Sequence, residues 1–252
     1  MTATATLGVV TIGQAPRDDL VPEMVPLLPR CRIVERGALD GLSPAEIAGM
    51  APRDGEAAFT SRLADGTGVV FGHDRAVPLV ERAVARAEDD GADVVLIVCG
   101  GSFPPLAHHR PLLLTESLAH HAVAALAGEQ RVGVVRPLPS QLDDGRRAWE
   151  RTLGRPVAAM AAASPYTDGL SVIASAATGL AEDCDVVVLD CIGYDERMRA
   201  AAAVASGLPV LLIRSLAARL VGELLAGTPP HPSFDCVSRS SGVKNPHNAF
   251  IE

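Results

Sequence analysis

The sequence predicts an α/β fold in which two pseudo-symmetric domains, each with a mostly parallel sheet, flank a cleft that holds the active site. Short apolar runs rich in β-branched residues alternate with longer amphipathic segments along the 252 residues. Such runs are typical of strands buried on both faces of a parallel sheet. One run occurs twice, and each copy ends in a cysteine, at Cys99 and at Cys191. This repeat indicates two similar α/β halves.

A second repeat supports the duplication. Leu-Gly-Val-Val at residues 7–10 matches Val-Gly-Val-Val at residues 132–135, and a proline-containing loop and an Asp-Asp pair follow each copy. The interval from this run to the cysteine is longer in the first half, which places an extra segment around residues 37–75. We expect both halves to be Rossmann-like, since strands and helices alternate in each. The predicted division assigns residues 1–105 and about 214–252 to the first domain and residues 106–213 to the second.

In the first half, local signals define the elements. Asp18 and Asp19 are suited to the start of a helix, and Ser-Pro-Ala-Glu at residues 43–46 is a capping box with proline at the first helical position. Glycines punctuate residues 61–72, which favours a hairpin, and the segment that follows is strongly amphipathic. The predicted order is a strand at 7–12, a helix at 20–28, a strand at 32–35, a helix at 44–50, a hairpin at 61–72, a helix at 76–89 and a strand at 93–99.

The second half alternates in the same way. Helices are predicted for the longer amphipathic segments, and strands where short apolar runs stand between them. The tail from residue 227 is rich in proline, serine and histidine, and is either disordered or an arm that contacts another subunit. The predicted order is a helix at 111–126, a strand at 132–135, a helix at 140–153, a strand at 156–160, a helix at 166–182, a strand at 185–191, a helix at 195–206, a strand at 209–213 and a helix at 216–225.

Composition limits the kinds of partner. Hydrophobic residues make up 48% of the chain and aromatic residues only 3%, so the core should be aliphatic. The net charge of −8 argues against a nucleic-acid surface, which needs a basic face. No run of apolar residues is long enough to span a membrane, and no signal peptide is visible. We therefore expect a cytoplasmic protein with reduced cysteines. Its mean hydropathy of +0.23 and its tail favour a homodimer or larger homo-oligomer.

The two repeated cysteines are the candidate catalytic residues. In open α/β sheets, ligands bind beyond the carboxyl ends of the strands, which is where Cys99 and Cys191 are predicted. Each precedes a predicted helix start, so the helix dipole should lower the thiol pKa and favour the reactive thiolate. One thiolate could remove a proton from a carbon while the opposite thiol donates one. The alternative is that each is a small buried hydrophobic residue, as we expect for Cys184. Cys31 and Cys236 have no comparable context.

The short segments that follow the two cysteines should contact the substrate. Small residues allow backbone N–H groups to surround an anion, so binding of a substrate carboxylate is predicted there. The alternative is that the glycines serve only the turn from strand to helix. The candidate residues are Gly100, Gly101, Ser102, Ile192, Gly193 and Tyr194.

Three further residues are candidates for substrate binding. After the first strand, Gln14 offers an amide donor and acceptor, and Arg17 offers two parallel N–H groups for a carboxylate. Arg75 lies in the extra segment beside a histidine and an aspartate, where it could anchor an anion or belong to a lid. For each of them the alternative is an ordinary polar turn.

Other familiar sites are not indicated. Gly-Gly-Ser-Phe-Pro at residues 100–104 lacks the final glycine of a nucleophile elbow, and the glycines at 66–72 miss the dinucleotide fingerprint. The histidine pairs at 108–109 and 120–121 lack zinc-site spacing, because neighbouring residues on a helix point apart. We therefore expect neither a metal nor a cofactor.

Two motifs give the chain a resemblance to a known family. Thr-Ile-Gly-Gln-Ala-Pro-Arg at residues 11–17 and Leu-Asp-Cys-Ile-Gly-Tyr at residues 189–194 resemble the AroM family, and the likeness covers roughly residues 5–226. AroM proteins are similar to the superfamily of aspartate, glutamate and hydantoin racemases, which includes maleate isomerases and arylmalonate decarboxylases. The resemblance implies cofactor-independent chemistry by paired thiols, with Cys99 matching the first catalytic cysteine and Cys191 the second. The residues after each cysteine differ from the Asn-Thr and Thr-His of the amino-acid racemases.

Together these features predict a racemase or isomerase. It would act at a carbon α to a carboxylate or carbonyl by a two-cysteine acid/base mechanism, on a small substrate of the amino-acid or hydantoin type. One alternative is a one-cysteine enzyme on the same scaffold, either a decarboxylase or a maleate-isomerase-like enzyme that attacks an alkene. The other alternative is a binding protein for a small metabolite that has no catalytic activity.

Overall fold

The computed structural model describes residues 4–229, and within that range the chain forms ten strands and eight α-helices. Cys236 and the predicted tail beyond residue 229 lie outside the described residues. Within the described part, none of the helices combines the length and the apolar character that crossing a membrane requires.

The first half contains six strands and four helices. The predicted capping box is confirmed, because the Ser43 hydroxyl accepts from the Glu46 N–H at 3.3 Å and the Glu46 carboxylate accepts from the Ser43 N–H at 2.7 Å. A short 3-10 turn, Val25–Leu27, extends the first helix. The elements are β1 (Thr6–Thr11), α1 (Val21–Met24), β2 (Arg32–Gly37), α2 (Pro44–Ala48), β3 (Ala58–Arg62), β4 (Gly68–Gly72), α3 (His73–Asp89), β5 (Val94–Ile97), β6 (Leu112–Leu114) and α4 (Thr115–Ala127).

The second half contains four strands and four helices. Its helix that follows the second cysteine is capped by Asp195, whose carboxylate accepts from the Met198 N–H at 2.7 Å. The elements are β7 (Val132–Arg136), α5 (Leu142–Leu153), β8 (Ala159–Ala162), α6 (Leu170–Leu180), β9 (Val186–Leu189), α7 (Glu196–Ser206), β10 (Val210–Leu212) and α8 (Ile213–Gly227).

Both halves build the same parallel sheet. The strand order is β2-β1-β5-β6 in the first sheet and β8-β7-β9-β10 in the second, with each strand parallel to its neighbours. The register repeats as well, since Leu7 pairs with Val94 and, at the equivalent place, Val132 pairs with Val186. The predicted α/β fold with two similar halves is confirmed. The predicted division of the chain between the domains stays a prediction, and β6 lies in the first sheet.

The two halves exchange their last helices. α4 follows β6 of the first sheet, yet its Ala119 and Val123 pack on Val132 and Val134 of the second sheet. α8 follows β10 of the second sheet, yet its Val221 packs in the cluster that contains β1 of the first sheet. Each sheet is thus covered on one face by a helix from the other half, and this joins the two halves across the cleft.

The extra segment of the first half is an insertion between β2 and α3. It holds α2 and the antiparallel hairpin β3–β4, in which Phe59 pairs with Phe71. Both rings are buried in the cluster that contains α3, so the hairpin is fixed to the first half. The predicted hairpin is confirmed, and its first strand begins at Ala58, earlier than expected.

Two predicted helices begin too early. The prediction of a helix from residue 111 is wrong at its start, because Leu112–Leu114 form β6 and pair with β5. A run of three leucines has no periodicity that separates a strand from a helix, and pairing with a neighbouring strand decides it. The helix predicted from residue 166 begins at Leu170, which leaves Tyr166 in the loop after β8. That loop places the tyrosine at the cleft.

Candidate active site

Cys99 and Cys191 line one cavity of about 750 Å³. Cys99 follows β5 and Cys191 follows β9, and these strands occupy equivalent inner positions of the two sheets. The carboxyl ends of the strands therefore bring both thiols to the same space, as expected for a ligand site in an open α/β sheet. The cysteines come from sequence positions far apart, and only the pairing of the two halves brings them together.

Each thiol accepts a hydrogen bond from the backbone two residues further along. The Gly101 N–H donates to Cys99 Sγ at 3.3 Å, and the Gly193 N–H donates to Cys191 Sγ at 3.4 Å. A backbone N–H that points at sulfur stabilises the thiolate relative to the thiol. The duplicated fold thus supplies the same local stabilisation to both sulfur atoms.

An aromatic ring packs on each of these two glycines. A Cβ placed on Gly101 would lie 2.7 Å from Cε1 of Phe59, and one placed on Gly193 would lie 2.5 Å from Cζ of Tyr166. Phe59 comes from the β3–β4 hairpin and Tyr166 from the loop after β8. Glycine is required at both positions because a larger residue would displace the ring that closes the site.

The predicted lowering of the thiol pKa by helix N-termini is wrong. Irregular chain and then β6 follow Cys99, so no helix begins beside it. Burial raises the pKa of Cys99 to about 12, and the Gly101 N–H only partly opposes this effect. Burial also raises the pKa of Cys191, against the Tyr166 hydroxyl and the Gly193 N–H. Desolvation therefore decides the protonation of both groups.

Each half also brings one guanidinium group to the cavity wall. Arg17, 4% exposed, pairs with both carboxylate oxygens of Asp19 at 2.7 and 2.8 Å. Arg136 stands at the end of β7, with its Nε 3.5 Å from Oδ2 of Asp190. The positive charge of Arg17 partly opposes the rise in the pKa of Cys99, and the charge of Arg136 does the same for Cys191. These cations favour anionic groups within the cavity.

A buried polar network supports the second cysteine. Asp190 is fully buried directly before Cys191 and accepts a hydrogen bond from Nε1 of Trp149 at 2.8 Å. Nε2 of His120 lies 3.4 Å from the other carboxylate oxygen, and the imidazole stacks on the indole with ring centroids 3.7 Å apart. Although burial opposes ionisation, His120 and the Arg136 charge hold the pKa of Asp190 below its usual value. The network fixes a carboxylate beneath the site.

The cavity wall includes most of the residues predicted from the sequence. Besides the two cysteines, it contains Arg17, Gly100, Gly101, Ser102 and Ile192. Gly193 contributes through its N–H to Cys191.

Two predicted binding residues of the first half lie elsewhere. The Gln14 amide accepts from the Ala64 N–H at 3.1 Å and donates to the Leu39 carbonyl at 3.3 Å, so it ties the hairpin to the loop after β2. Arg75 donates to the Gly49 carbonyl at 2.8 Å, within the inserted segment. Both side chains hold backbone in place, which a sequence motif does not distinguish from ligand binding.

Tyr194 is likewise a structural residue. Its side chain is fully buried, and its hydroxyl donates to the Ala163 carbonyl at the end of β8. The predicted contact of Tyr194 with substrate is not supported by this position.

Several cavity residues were missed by sequence reasoning. Tyr166 places its hydroxyl 3.5 Å from Cys191 Sγ, and Arg62 lies 4.8 Å from the centroid of its ring. Glu116 lines the cavity at the start of α4, and burial raises the pKa of its carboxyl group. Arg147 and Arg151 lie one helical turn apart on α5 and face the same space. The four-residue spacing of the two arginines and the position of Tyr166 shortly after a strand could have indicated these residues from the sequence.

Among residues 4–229 there is no group of three or more histidine, cysteine or acidic side chains that could hold a metal ion. The ionisable groups that line the described cavity are two thiols, a phenol, the His73 imidazole, three carboxyl groups and several guanidinium groups.

Comparison with known proteins identifies a matching family and solved structures of the same fold. The sequence profile of a family described as AroM protein matches residues 7–225. The structure is similar to allantoin racemase from Klebsiella pneumoniae, with a TM-score of 0.59 and 18% identity, over 90% of this chain and 91% of that one. No curated protein matches the chain.

Two further solved structures have the same fold. Aspartate racemase from Picrophilus torridus gives a TM-score of 0.55 at 12% identity, over 90% of this chain and 96% of that one. Unliganded arylmalonate decarboxylase gives a TM-score of 0.58 at 15% identity, over 89% of this chain and 93% of that one. The chain therefore has the scaffold on which racemases and a decarboxylase are built.

Proposed function

The chain belongs to the AroM family, and on that basis we propose that it is a cofactor-independent racemase or isomerase. The reaction is proton transfer at a carbon α to a carboxylate or carbonyl group. One observation carries the proposal: Cys99 and Cys191 follow equivalent strands of two repeated sheets and line a single cavity. A protein that only binds a metabolite has no need of two thiols placed in this way.

The two thiols act as a base and an acid on opposite faces of the substrate carbon. One thiolate removes the α-proton, and the opposite thiol donates its own proton to the other face. The roles exchange in the reverse direction, so each thiol is regenerated over a complete cycle. Because burial raises the pKa of both Cys99 and Cys191, the thiolate needs stabilisation, and the cavity arginines supply positive charge for this.

The charge of the cavity favours a small anionic substrate. The protein carries a net charge of −8, yet arginines outnumber acidic residues in the cavity wall. A guanidinium group binds a carboxylate through parallel N–H groups and stabilises the negative charge that develops on an enolate. A small substrate of the amino-acid or hydantoin type fits this description. The arginines are Arg17, Arg62, Arg136, Arg147 and Arg151, and the acidic residues are Glu116, Asp144 and Asp190.

A one-cysteine enzyme, such as a decarboxylase or a cis–trans isomerase, is the second candidate. Of the two cavity cysteines, Cys191 alone has a side-chain hydroxyl partner among residues 4–229, since Tyr166 contacts it at 3.5 Å. A single activated thiol is sufficient to protonate a carbanion after decarboxylation or to attack an alkene. In that case Cys99 would be dispensable for activity.

Proton exchange in deuterated water tests the proposal. The protein is incubated with pools of amino acids, hydantoins, and substituted malonic and maleic acids, and NMR follows the loss of the α-proton signal. We expect exchange into one compound, which also names the substrate class. Cys99→Ala and Cys191→Ala should each lower the rate by about 100-fold or more, the usual contribution of a general acid or base.

Cys184→Ala is the matched control, because Cys184 is buried away from the cavity. This variant should keep the exchange rate of the original protein. Activity retained in Cys99→Ala and lost in Cys191→Ala would favour the one-cysteine enzyme. Absence of exchange in every pool, with both thiols unreactive to iodoacetamide, would favour the metabolite-binding protein.

The predicted cytoplasmic location and homo-oligomeric assembly complete the proposal. Both rest on composition, and light scattering on the purified protein measures the assembly directly.

A further inference from the structure

Cys99 and Cys191 have similar local surroundings, but a tyrosine hydroxyl lies beside Cys191. Each receives a backbone N–H from the glycine two residues on, and each of these glycines has an aromatic ring packed against its Cα. The ring on Gly101 belongs to Phe59, and the ring on Gly193 belongs to Tyr166. Within the described part of the first half, the phenol oxygen of Tyr166 has no counterpart beside Cys99. The two rings occupy similar places beside the two cysteines, and the one beside Cys191 carries a hydroxyl.

That hydroxyl contacts the reacting sulfur. Tyr166 Oη lies 3.5 Å from Cys191 Sγ, within hydrogen-bond distance for sulfur. The Tyr166 ring packs against Gly193, where the absence of a side chain leaves room for it. The Arg62 guanidinium lies 4.8 Å from the centroid of the same ring. Arg62 comes from the inserted hairpin of the first half. The tyrosine is thus fixed between the two halves and directed at one thiol.

From this geometry we infer that Tyr166 is a catalytic residue that donates a hydrogen bond to Cys191 Sγ and makes Cys191 the first thiol to ionise. Cys191 then removes the substrate proton, and Cys99 acts as the acid on the opposite face. The catalytic part of this inference rests on the proposed proton-transfer function.

The direction of the hydrogen bond follows from the environment of the phenol. Burial and the neighbouring Cys191 hold the pKa of Tyr166 well above its usual value, so the phenol keeps its proton. A protonated phenol beside sulfur donates, and a donated hydrogen bond stabilises the thiolate. Tyr166 keeps its proton throughout the reaction, in which the only protons transferred are those of the two thiols and the substrate carbon.

Charged groups of both signs lie near each thiol and shift its pKa in opposite directions. Cys191 faces the Arg136 cation, which lowers its pKa, and the Asp190 carboxylate, which raises it. Cys99 faces the Arg17 cation, which lowers its pKa, and Glu116, which raises it. Each thiol therefore has one cation and one carboxyl group near it, and Cys99 additionally faces Cys191, which raises its pKa. Cys191 is also less buried than Cys99, and it alone of the two has the Tyr166 hydroxyl as a hydrogen-bond partner among residues 4–229.

Site-resolved alkylation of the full chain tests the inference without a substrate. Iodoacetamide is applied over the alkaline titration range of thiols, and mass spectrometry gives a pH midpoint for each cysteine. We expect a lower midpoint for Cys191 than for Cys99. Tyr166→Phe should reduce the thiolate fraction of Cys191 by about tenfold at a given pH, which corresponds to about one pKa unit, and leave Cys99 unchanged.

Phe59→Tyr is the matched variant, since Phe59 packs on Gly101 beside Cys99 as Tyr166 packs on Gly193 beside Cys191. It should lower the midpoint of Cys99 and leave that of Cys191 in place. Slow alkylation of the buried Cys184 in every variant shows that the fold is intact.

Three results would overturn the inference: a lower midpoint for Cys99 in the original protein, no change of Cys191 in Tyr166→Phe, or an equal change of both thiols. A failed exchange assay with the expected midpoints would instead reject the proposed function and leave the order of ionisation standing.

Discussion

Replacing Trp149 by phenylalanine should destabilise the protein by about 3 kcal/mol. Trp149 is fully buried, and its indole N–H donates to the Asp190 carboxylate at 2.8 Å. Phenylalanine keeps an aromatic ring against His120 but has no donor. The substitution thus removes one defined hydrogen bond to a buried charge and leaves the packing partly intact.

Two contributions make up this magnitude. A hydrogen bond to a charged group contributes roughly 1.5–3 kcal/mol, because its loss leaves a buried carboxylate oxygen without a donor. The smaller ring of phenylalanine leaves a void, which costs about 1 kcal/mol on the scale of one buried methylene group. If the carboxylate is first made neutral by Asp190→Asn, the lost bond is a neutral one of about 1 kcal/mol. The cost of Trp149→Phe should then fall to about 2 kcal/mol.

Urea unfolding followed by far-ultraviolet circular dichroism measures these differences. Trp149 is the only tryptophan in the chain, so its fluorescence is absent from the variant. The original protein, the two single variants and the double variant form a thermodynamic cycle whose coupling energy should be about 1 kcal/mol or more. A cost below about 1 kcal/mol for Trp149→Phe, or additive effects in the cycle, would refute the assignment of a charged hydrogen bond.

Two further predictions concern the second half. Gly133→Ala should cost about 1–3 kcal/mol, because the new Cβ would lie 2.7 Å from Cys184 Sγ, and Cys184→Ala in the same chain should recover most of that loss in urea unfolding. The Asp190 carboxyl group has a pKa below its usual value, despite burial, because His120 and Arg136 stabilise the anion. Its contribution to stability is therefore complete above about pH 4 and lost as the pH falls, so Asp190→Asn should flatten the decline of stability in acid. An unchanged acid profile, or a Gly133→Ala variant as stable as the original, would contradict these expectations.

Much of the fold is legible in the sequence because local signals and tertiary structure agree. The apolar runs that end at Cys99 and Cys191 are strands buried on both faces, a state that leaves a clear pattern of β-branched residues. The capping box at Ser43 and the hairpin before α3 were equally clear, since hydrogen-bonding side chains and glycines act over a few residues.

Other elements depend on partners that are distant in sequence. Leu112–Leu114 become β6 only because β5 offers an unpaired edge. The exchange of α4 and α8 between the halves has no local signal, because an amphipathic helix does not specify which sheet it covers.

The sequence by itself determined the duplicated α/β fold and the two cysteines at equivalent strand ends, since both follow from short-range patterns. Tertiary structure decided which side chains reach the cavity. The Gln14 side chain hydrogen-bonds backbone groups and does not line the cavity. Tyr166 contacts Cys191 from a loop that was predicted to be helical. Tertiary structure also decided the state of the thiols, because burial raises the pKa of Cys99 and overrides the backbone N–H beside it. Desolvation depends on every atom packed around a group, and no local pattern of residues encodes it.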